Sequence, residues 1–296
     1  MLLSPAHVRE ICKTLGIRPT KTLGQNFVHD AATVRKIVRA AHAQPGDHVL
    51  EVGPGLGSLT LGLLEAGARV SAIEIDPILA TALPATVQGF TDEPQPLRVL
   101  QADALAVTSS EELNQAVNAQ GETENWEAPT RMVANLPYNV AVPLVLNILK
   151  HFETVTELLV MVQTEVAQRL SAQAGSKIYG VPSVKTAWYG HAQLAGAISR
   201  SVFWPVPNVD SSLVRVTRSE PTWLAPRETT FKLVDTAFAQ RRKMLRAALK
   251  NTFSDVDLNT VFSRAQIDPT RRGETLTVED FDRLAWAVHQ EREVSR

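Results

Sequence analysis

Three glycines and three acids carry the clearest chemical potential in the chain. Gly53, Gly55 and Gly57 alternate within Glu51-Val-Gly-Pro-Gly-Leu-Gly-Ser-Leu-Thr60, directly after an apolar run at 48–52. Glycines at that spacing let a backbone turn sharply and approach a ligand that a side chain would block. The pattern is G-x-G-x-G, not the G-x-G-x-x-G that sets a pyrophosphate on a helix N-terminus. Glu51 precedes it, and an acid there suits a nucleoside cofactor carrying an amine and a sulfonium better than one carrying phosphates. Glu74 lies near the end of the next apolar run, RVSAIEI, where a carboxylate can accept both ribose hydroxyls. Asp103 follows the third run and can receive the exocyclic amine of an adenine. Each acid alone is more often a helix cap or a solvated loop residue, and a lone glycine loop is a weak signal. Three ligand positions at three successive strand ends point to S-adenosylmethionine, with NAD second.

The fourth apolar run ends in Asn135-Leu136-Pro137-Tyr138. In isolation this is a proline turn with a surface tyrosine. Beside a methyl donor it has a chemical use. The exocyclic amine of a base is a poor nucleophile because its lone pair is delocalised into the ring. If the Asn135 side-chain carbonyl and the Leu136 main-chain carbonyl each accept one amino hydrogen, the lone pair can turn towards the methyl group. Tyr138 can stack on the base. Pro137 stiffens the loop, so the acceptors need no reorganisation during transfer.

These residues must be held by a regular frame. Ser4-Pro5 opens a helix that Gly16 closes, and a second helix follows Asp30 with Val34, Ile37, Val38 and Ala41 at helical spacing. Strands are predicted at 48–52, 69–75, 97–101, 130–134 and 155–163, alternating with helices at 58–66, 77–87, 142–150 and 164–171. That alternation specifies a parallel sheet covered on both faces. Further strands at 192–198 and 212–217 flank a proline-rich loop, RSVFWPVPNVDS. Beyond Pro221 and Pro226 the pattern is helical at 228–239, 241–251, 258–265 and 279–290. The fold expected is α/β, a doubly wound, mainly parallel, Rossmann-like sheet over residues 1–220, with a small C-terminal helical domain over 221–296. Residues 108–129 interrupt the rhythm and are expected to form an exposed helix with a loop or a partly disordered insertion.

Composition narrows the partners. The chain has 296 residues, 44% hydrophobic and 21% charged, ordinary values for a folded protein. No apolar run is long enough to cross a bilayer and no basic-then-apolar leader opens it, so a cytoplasmic address without membrane contact is expected. Cys12 is the only cysteine, which excludes an internal disulfide. The seven histidines share no ligand spacing, so no metal site is expected. Net charge is −1 but unevenly spread: residues 1–45 hold seven Lys/Arg against two Asp/Glu, and residues 89–127 hold only Arg98 against eight acids. The run Gln240–Lys250 has five basic residues and no acid. A solvated helix face is the plainer explanation of that run, and a phosphate-binding surface is the other.

In their order and spacing the motifs resemble the S-adenosylmethionine-dependent rRNA adenine dimethyltransferases over nearly the whole chain. Lys21-Thr-Leu-Gly-Gln-Asn-Phe27 resembles the family's N-terminal cofactor motif, which implies that Gln25 and Asn26 face the cofactor. Glu51 through Thr60, Glu74, Asp103-Ala104-Leu105 and Asn135 through Tyr138 then match in turn. Met161–Arg169 and Lys177–Gly180 resemble segments flanking the base pocket. Phe203 resembles the aromatic that closes on the target base opposite Tyr138. Arg241-Arg242-Lys243 and Arg272-Gly-Glu-Thr-Leu276 resemble the small-subunit branch and imply RNA contact. The function implied is transfer of methyl groups to the N6 amines of two adjacent adenines near the 3′ end of small-subunit (16S) rRNA. The implied partner is the small ribosomal subunit precursor, engaged by a monomer. The rivals are a methyltransferase of large-subunit rRNA or of DNA adenine, an RNA-binding assembly factor that has kept the fold, and an NAD oxidoreductase. Two departures from the family are visible: Ala141 replaces a small hydroxyl residue, and the acidic segment is longer than usual.

Overall fold

In the computed structural model the described residues are 2–17, 26–220 and 222–294. Gln25 and the stretch Lys21–Gly24 of the N-terminal motif lie outside them, as does Pro221. In chain order the elements are α1 (Pro5–Thr14), β1 (Phe27–Val28), α2 (Ala31–Ala40), β2 (His48–Val52), α3 (Ser58–Glu65), β3 (Arg69–Glu74), α4 (Pro77–Gln88) and β4 (Leu97–Gln101). Then come β5 (Arg131–Asn135), α5 (Ala141–His151), β6 (Glu157–Gln163), α6 (Thr164–Leu170), α7 (Val181–Tyr189), β7 (Gly190–Ile198), β8 (Phe203–Trp204) and β9 (Ser211–Arg218). The C-terminal helices are α8 (Arg227–Ala239), α9 (Leu245–Leu249), α10 (Leu258–Ala265) and α11 (Val278–Val294).

Seven strands form one sheet in the order β4-β3-β2-β5-β6-β9-β7. The pairs from β4 to β6 are parallel, and β9 runs antiparallel to β6. The chain winds outward from β2 through β3 to β4, then returns to the other side of β2 for β5. The order therefore reverses between β2 and β5, and in an open α/β sheet ligands bind in the crevice beyond the strand ends at that point. All five residues of β2 are buried, as a strand covered on both faces requires. Local signals set the helix starts. Ser4 accepts from the His7 amide ahead of α1, Asp30 from Thr33 ahead of α2, and Asp76 from Ile78 and Leu79 ahead of α4. Gly62 lets α3 lie against α2: a β-carbon there would fall 2.4 Å from Val34 Cγ1.

In place of a longer exposed helix, the acidic insertion holds one short, partly exposed helical turn and is otherwise irregular chain bridged to the sheet edge. A single 3-10 turn at Glu111–Gln115 leads to Val117, which bridges antiparallel to Val99 on the outer strand and to Thr123. Arg98, 1% exposed, lies beneath the segment. Its Nε donates to Ser71 Oγ at 2.7 Å, its Nη1 donates to the Glu124 carbonyl at 2.7 Å, and its guanidinium sits 4.7 Å from the Trp126 ring centroid. His48 meets the same Ser71 hydroxyl and the Glu127 carbonyl, and burial pushes its imidazole down to about 4, so it is neutral at neutral pH. The insertion thus covers a strand edge that would otherwise present unpaired amides.

The chain divides into two compact units, Met1–Ala167 with Ala192–Arg218, and Gln168–His191 with Ser219–Arg296. The contiguous boundary expected near 220 puts 168–191 in the first domain, and the helical apolar pattern around Trp188 belongs to α7. Aromatic packing explains the difference. Trp188 on α7 stacks on Trp223 at 4.4 Å between centroids, and Tyr179 donates to the Leu276 carbonyl at 2.8 Å. The expected helix at 241–251 is also shorter: α9 begins only at Leu245, and Arg241, Arg242 and Lys243 occupy the turn after α8.

Candidate active site

The ends of β2, β3, β4 and β5 surround a cavity of about 280 Å³. Glu51, Gly53, Gly55, Glu74, Asp103, Ala104, Asn26 and Asn135 all line it. The glycine loop turns through left-handed conformations, with φ of 58° at Gly55 and 89° at Gly57. A β-carbon on Gly55 would lie 3.0 Å from Phe27 Cε1, and one on Gly57 would lie 2.7 Å from Leu83 Cδ1. Both glycines are therefore needed for close packing as well as for the turn.

Four carboxylates, from Glu51, Glu74, Asp76 and Asp103, line the cavity, and the described lining contains no Lys, Arg or His. Glu51 is 1% exposed and accepts from Thr60 Oγ1 at 2.7 Å. Burial pushes its carboxyl up to about 8, the Thr60 hydrogen bond opposes that rise and the nearby Glu74 charge adds to it. Glu74 is also raised, mainly by burial, against backbone donors at Asp76 (3.0 Å) and Gly55 (3.1 Å). A lining of acidic groups with no basic side chain among the described residues suits a cationic ligand and disfavours a pyrophosphate. This lining of acceptors fits S-adenosylmethionine, whose ribose hydroxyls and adenine amine donate: Glu74 could hold the ribose, Asp103 the adenine, and the acids near the glycine loop the charged end.

The acceptor loop leaves β5 at the mouth of this cavity. Asn135 Nδ2 donates to the Asn26 carbonyl at 3.0 Å. A carbonyl only accepts, so the amide nitrogen must face Asn26, which leaves Oδ1 as an acceptor for an incoming amine. The Leu136 amide donates to the Met161 carbonyl at 3.1 Å, tying the loop to β6. Pro137 lines the cavity and Tyr138 does not. Tyr138 is half-buried and its hydroxyl meets Ser211 Oγ at 2.9 Å; burial raises the phenol, against that hydrogen bond.

Phe203 is a correction. It is fully buried, pairs through β8 with Val28 of β1 and belongs to the hydrophobic core, not to the cavity lining. The short strand pair turns its side chain into that core. The aromatic that does line the cavity is Phe27. It stands at the end of the N-terminal motif, so its position was visible in the sequence, but its role was not. Leu59 and Leu105, also in the lining, lie within motifs the sequence displays, whereas Ile75 and Leu144 carry no distinguishing pattern because apolar residues at strand and helix ends are common.

In the second unit, Arg241 is engaged: its Nε donates to Glu274 Oε2 at 2.7 Å and its Nη2 to the Lys177 carbonyl at 2.7 Å. Arg242 and Lys243 are exposed, and among the described residues their side chains make no ion pair.

A doubly wound sheet whose cationic-ligand cavity sits beside an amine-accepting loop defines an S-adenosylmethionine-dependent methyltransferase. The sequence matches the ribosomal RNA adenine dimethylase family over residues 17–289, and the chain belongs to that family. It is 52% identical over 288 residues to the ribosomal RNA small subunit methyltransferase A of Streptomyces griseus, covering 96% of this chain and 94% of that one. It is 49% identical over 296 residues to the protein of the same name from Corynebacterium glutamicum, covering 99% and 97%. Among solved structures, a dimethyladenosine transferase from Plasmodium falciparum superposes with a TM-score of 0.70 at 23% identity, covering 87% of this chain and 95% of that one. The 23S rRNA methyltransferase ErmE superposes with a TM-score of 0.62 at 25% identity, covering 90% and 100%.

Proposed function

We propose that the chain transfers methyl groups from S-adenosylmethionine to the N6 amines of two adjacent adenines near the 3′ end of small-subunit rRNA, within a precursor of that subunit. The observation that carries this reading is the oriented Asn135 amide at the mouth of a cavity lined by carboxylates and no cation. The bound cofactor supplies an electrophilic methyl group. Asn135 Oδ1 accepts an amino hydrogen, Pro137 keeps the loop rigid, and the Tyr138 ring, tethered by Ser211, offers a stacking face for a base withdrawn from its helix. No strong general base is required, because the amine becomes acidic as it gains the methyl. Arg242 and Lys243 supply phosphate contacts that hold RNA without reading its sequence.

The names of relatives at about half identity over nearly the full chain favour small-subunit rRNA over large-subunit rRNA, whose solved example is 25% identical. Radiolabelled methyl transfer to undermethylated small subunits, large subunits and duplex DNA, offered in parallel, tests this. Label should enter the small subunit, and preferential labelling of either other substrate would overturn the choice.

A further inference from the structure

The turn that carries Asp103 is braced by a side chain outside the cavity. After β4 the chain closes a tight turn: the Ala106 amide donates to the Asp103 carbonyl at 2.9 Å and the Leu105 amide to Asp103 Oδ1 at 2.9 Å. Those bonds use groups inside the turn and leave the carbonyls of Ala104 and Val107 directed elsewhere. Both are taken by one group, Asn147 Nδ2, which donates to the Ala104 carbonyl at 3.0 Å and to the Val107 carbonyl at 3.0 Å. A primary amide has two hydrogens, and here each meets one acceptor.

Asn147 is well placed to act as a fixed point. It lies on α5, whose Val145, Ile148 and Leu149 are buried to 1% exposure or less. Leu144, one turn earlier on the same face, lines the cavity, as do Asn139 and Val140 just ahead of the helix. The helix that follows the acceptor loop thus grips the turn that follows β4. Within the turn Ala104 and Val107 are buried, at 6% and 2%, whereas Asp103 is exposed along the cavity. Without the amide, the bonds inside the turn would still orient the Asp103 carboxylate relative to the turn, but no hydrogen bond of Asn147 would fix the turn itself against α5.

We propose that Asn147 is a positioning residue for cofactor recognition, holding the 103–107 turn so that Asp103 meets the 6-amino group of the adenine and the site discriminates against a 6-oxo purine. The proposal rests on the assignment of Asp103 to the adenine amine. A carboxylate only accepts, so it rewards an amino group and faces the carbonyl of a hypoxanthine with repulsion.

Calorimetric binding of S-adenosylhomocysteine and of its 6-oxo analogue, S-inosylhomocysteine, to the wild type, Asn147→Leu and Asn147→Asp tests it, with thermal melts alongside. The wild type should prefer the amino compound by roughly tenfold or more, the worth of one hydrogen bond to a charged group. Asn147→Leu removes both donors at similar volume, and Asn147→Asp sets acceptors against two carbonyls. Both should melt as folded proteins and lose most of the preference, chiefly through weaker binding of the amino compound. A wild type with no preference would remove Asp103 from adenine recognition and this proposal with it. A wild-type preference retained in both variants would overturn the role of Asn147 alone. Failure of both variants to fold would make Asn147 a residue of fold stability and would also overturn the proposal.

Discussion

Glu51 is the residue whose ionisation the cavity controls most strongly. Its ordinary value near 4.5 is pushed up to about 8 by burial, so the free protein holds it protonated at neutral pH. Between those values the unfolded chain ionises Glu51 while the folded chain keeps the proton. The folded state binds more protons there, so its contribution to stability is full below 4.5 and is lost as pH rises through about 8. Urea unfolding of the free protein at pH 5.5 and 8.5 should show Glu51→Gln losing part of the wild-type decline, and an unchanged decline would contradict the assignment. Asn135 acts differently, because its acceptor matters most as the amine reorients towards the methyl group. Asn135→Ala should lower kcat by about 100-fold or more while cofactor affinity changes by less than about threefold, the pattern of an interaction made in the transition state. Single-turnover kinetics with parallel calorimetry separates the two effects. That Glu51, Gly53, Gly55, Glu74, Asp103, Asn135 and Pro137 would meet around one space was legible in the sequence, because they stand at or just beyond successive strand ends, whereas Gly57, Leu136 and Tyr138 lie outside the cavity lining. The burial of Phe203 was not legible, because motif position does not say which way a side chain on a two-residue strand will turn.

At the scale of elements, the alternating strands and helices from β2 to β6 were legible because buried parallel strands give continuous apolar runs between helical periods. The covering of β4 was not. It depends on Arg98, which reads in sequence as an ordinary charge in a strand yet is buried beneath the insertion, its pKa lowered by desolvation. Arg98→Met should leave the Ser71 hydroxyl and the Glu124 carbonyl without their donor, and should cost about 2 kcal/mol or more. Urea unfolding measures that loss, and limited proteolysis should find residues 108–129 newly cleavable. Cofactor affinity should hold, because neither Arg98 nor the insertion lines the cavity. An Arg98→Met protein as stable and protease-resistant as wild type would remove this residue as the anchor of the insertion. The short β1–β8 pair was not legible because two-residue strands have no period, and α7 was legible only as a helical pattern around Trp188, without its bounds.

For the molecule as a whole, the division into two units was only partly legible, since a contiguous boundary cannot express a unit that draws 168–191 from the middle of the chain. The basic run was legible as charge but not as roles. Arg241 is committed to Glu274 and the Lys177 carbonyl, whereas Arg242 and Lys243 stand exposed on the same turn. Arg242→Ala with Lys243→Ala should therefore weaken binding to small subunits and flatten its salt dependence by up to roughly 0.7 to 0.9 slope units per lost phosphate contact. Arg241→Ala should lower the melting temperature and leave the salt slope near the wild-type value. Equal slopes in wild type and the double variant would move RNA docking elsewhere.

Small subunits lacking these methyl groups, incubated with the protein and S-adenosylmethionine and digested to nucleosides for mass spectrometry, should yield N6,N6-dimethyladenosine, with two adjacent adenines near the 3′ end modified on mapping. Asn135→Ala should give almost none. Methyl groups confined to other bases or positions, or full dimethylation by Asn135→Ala, would contradict the account.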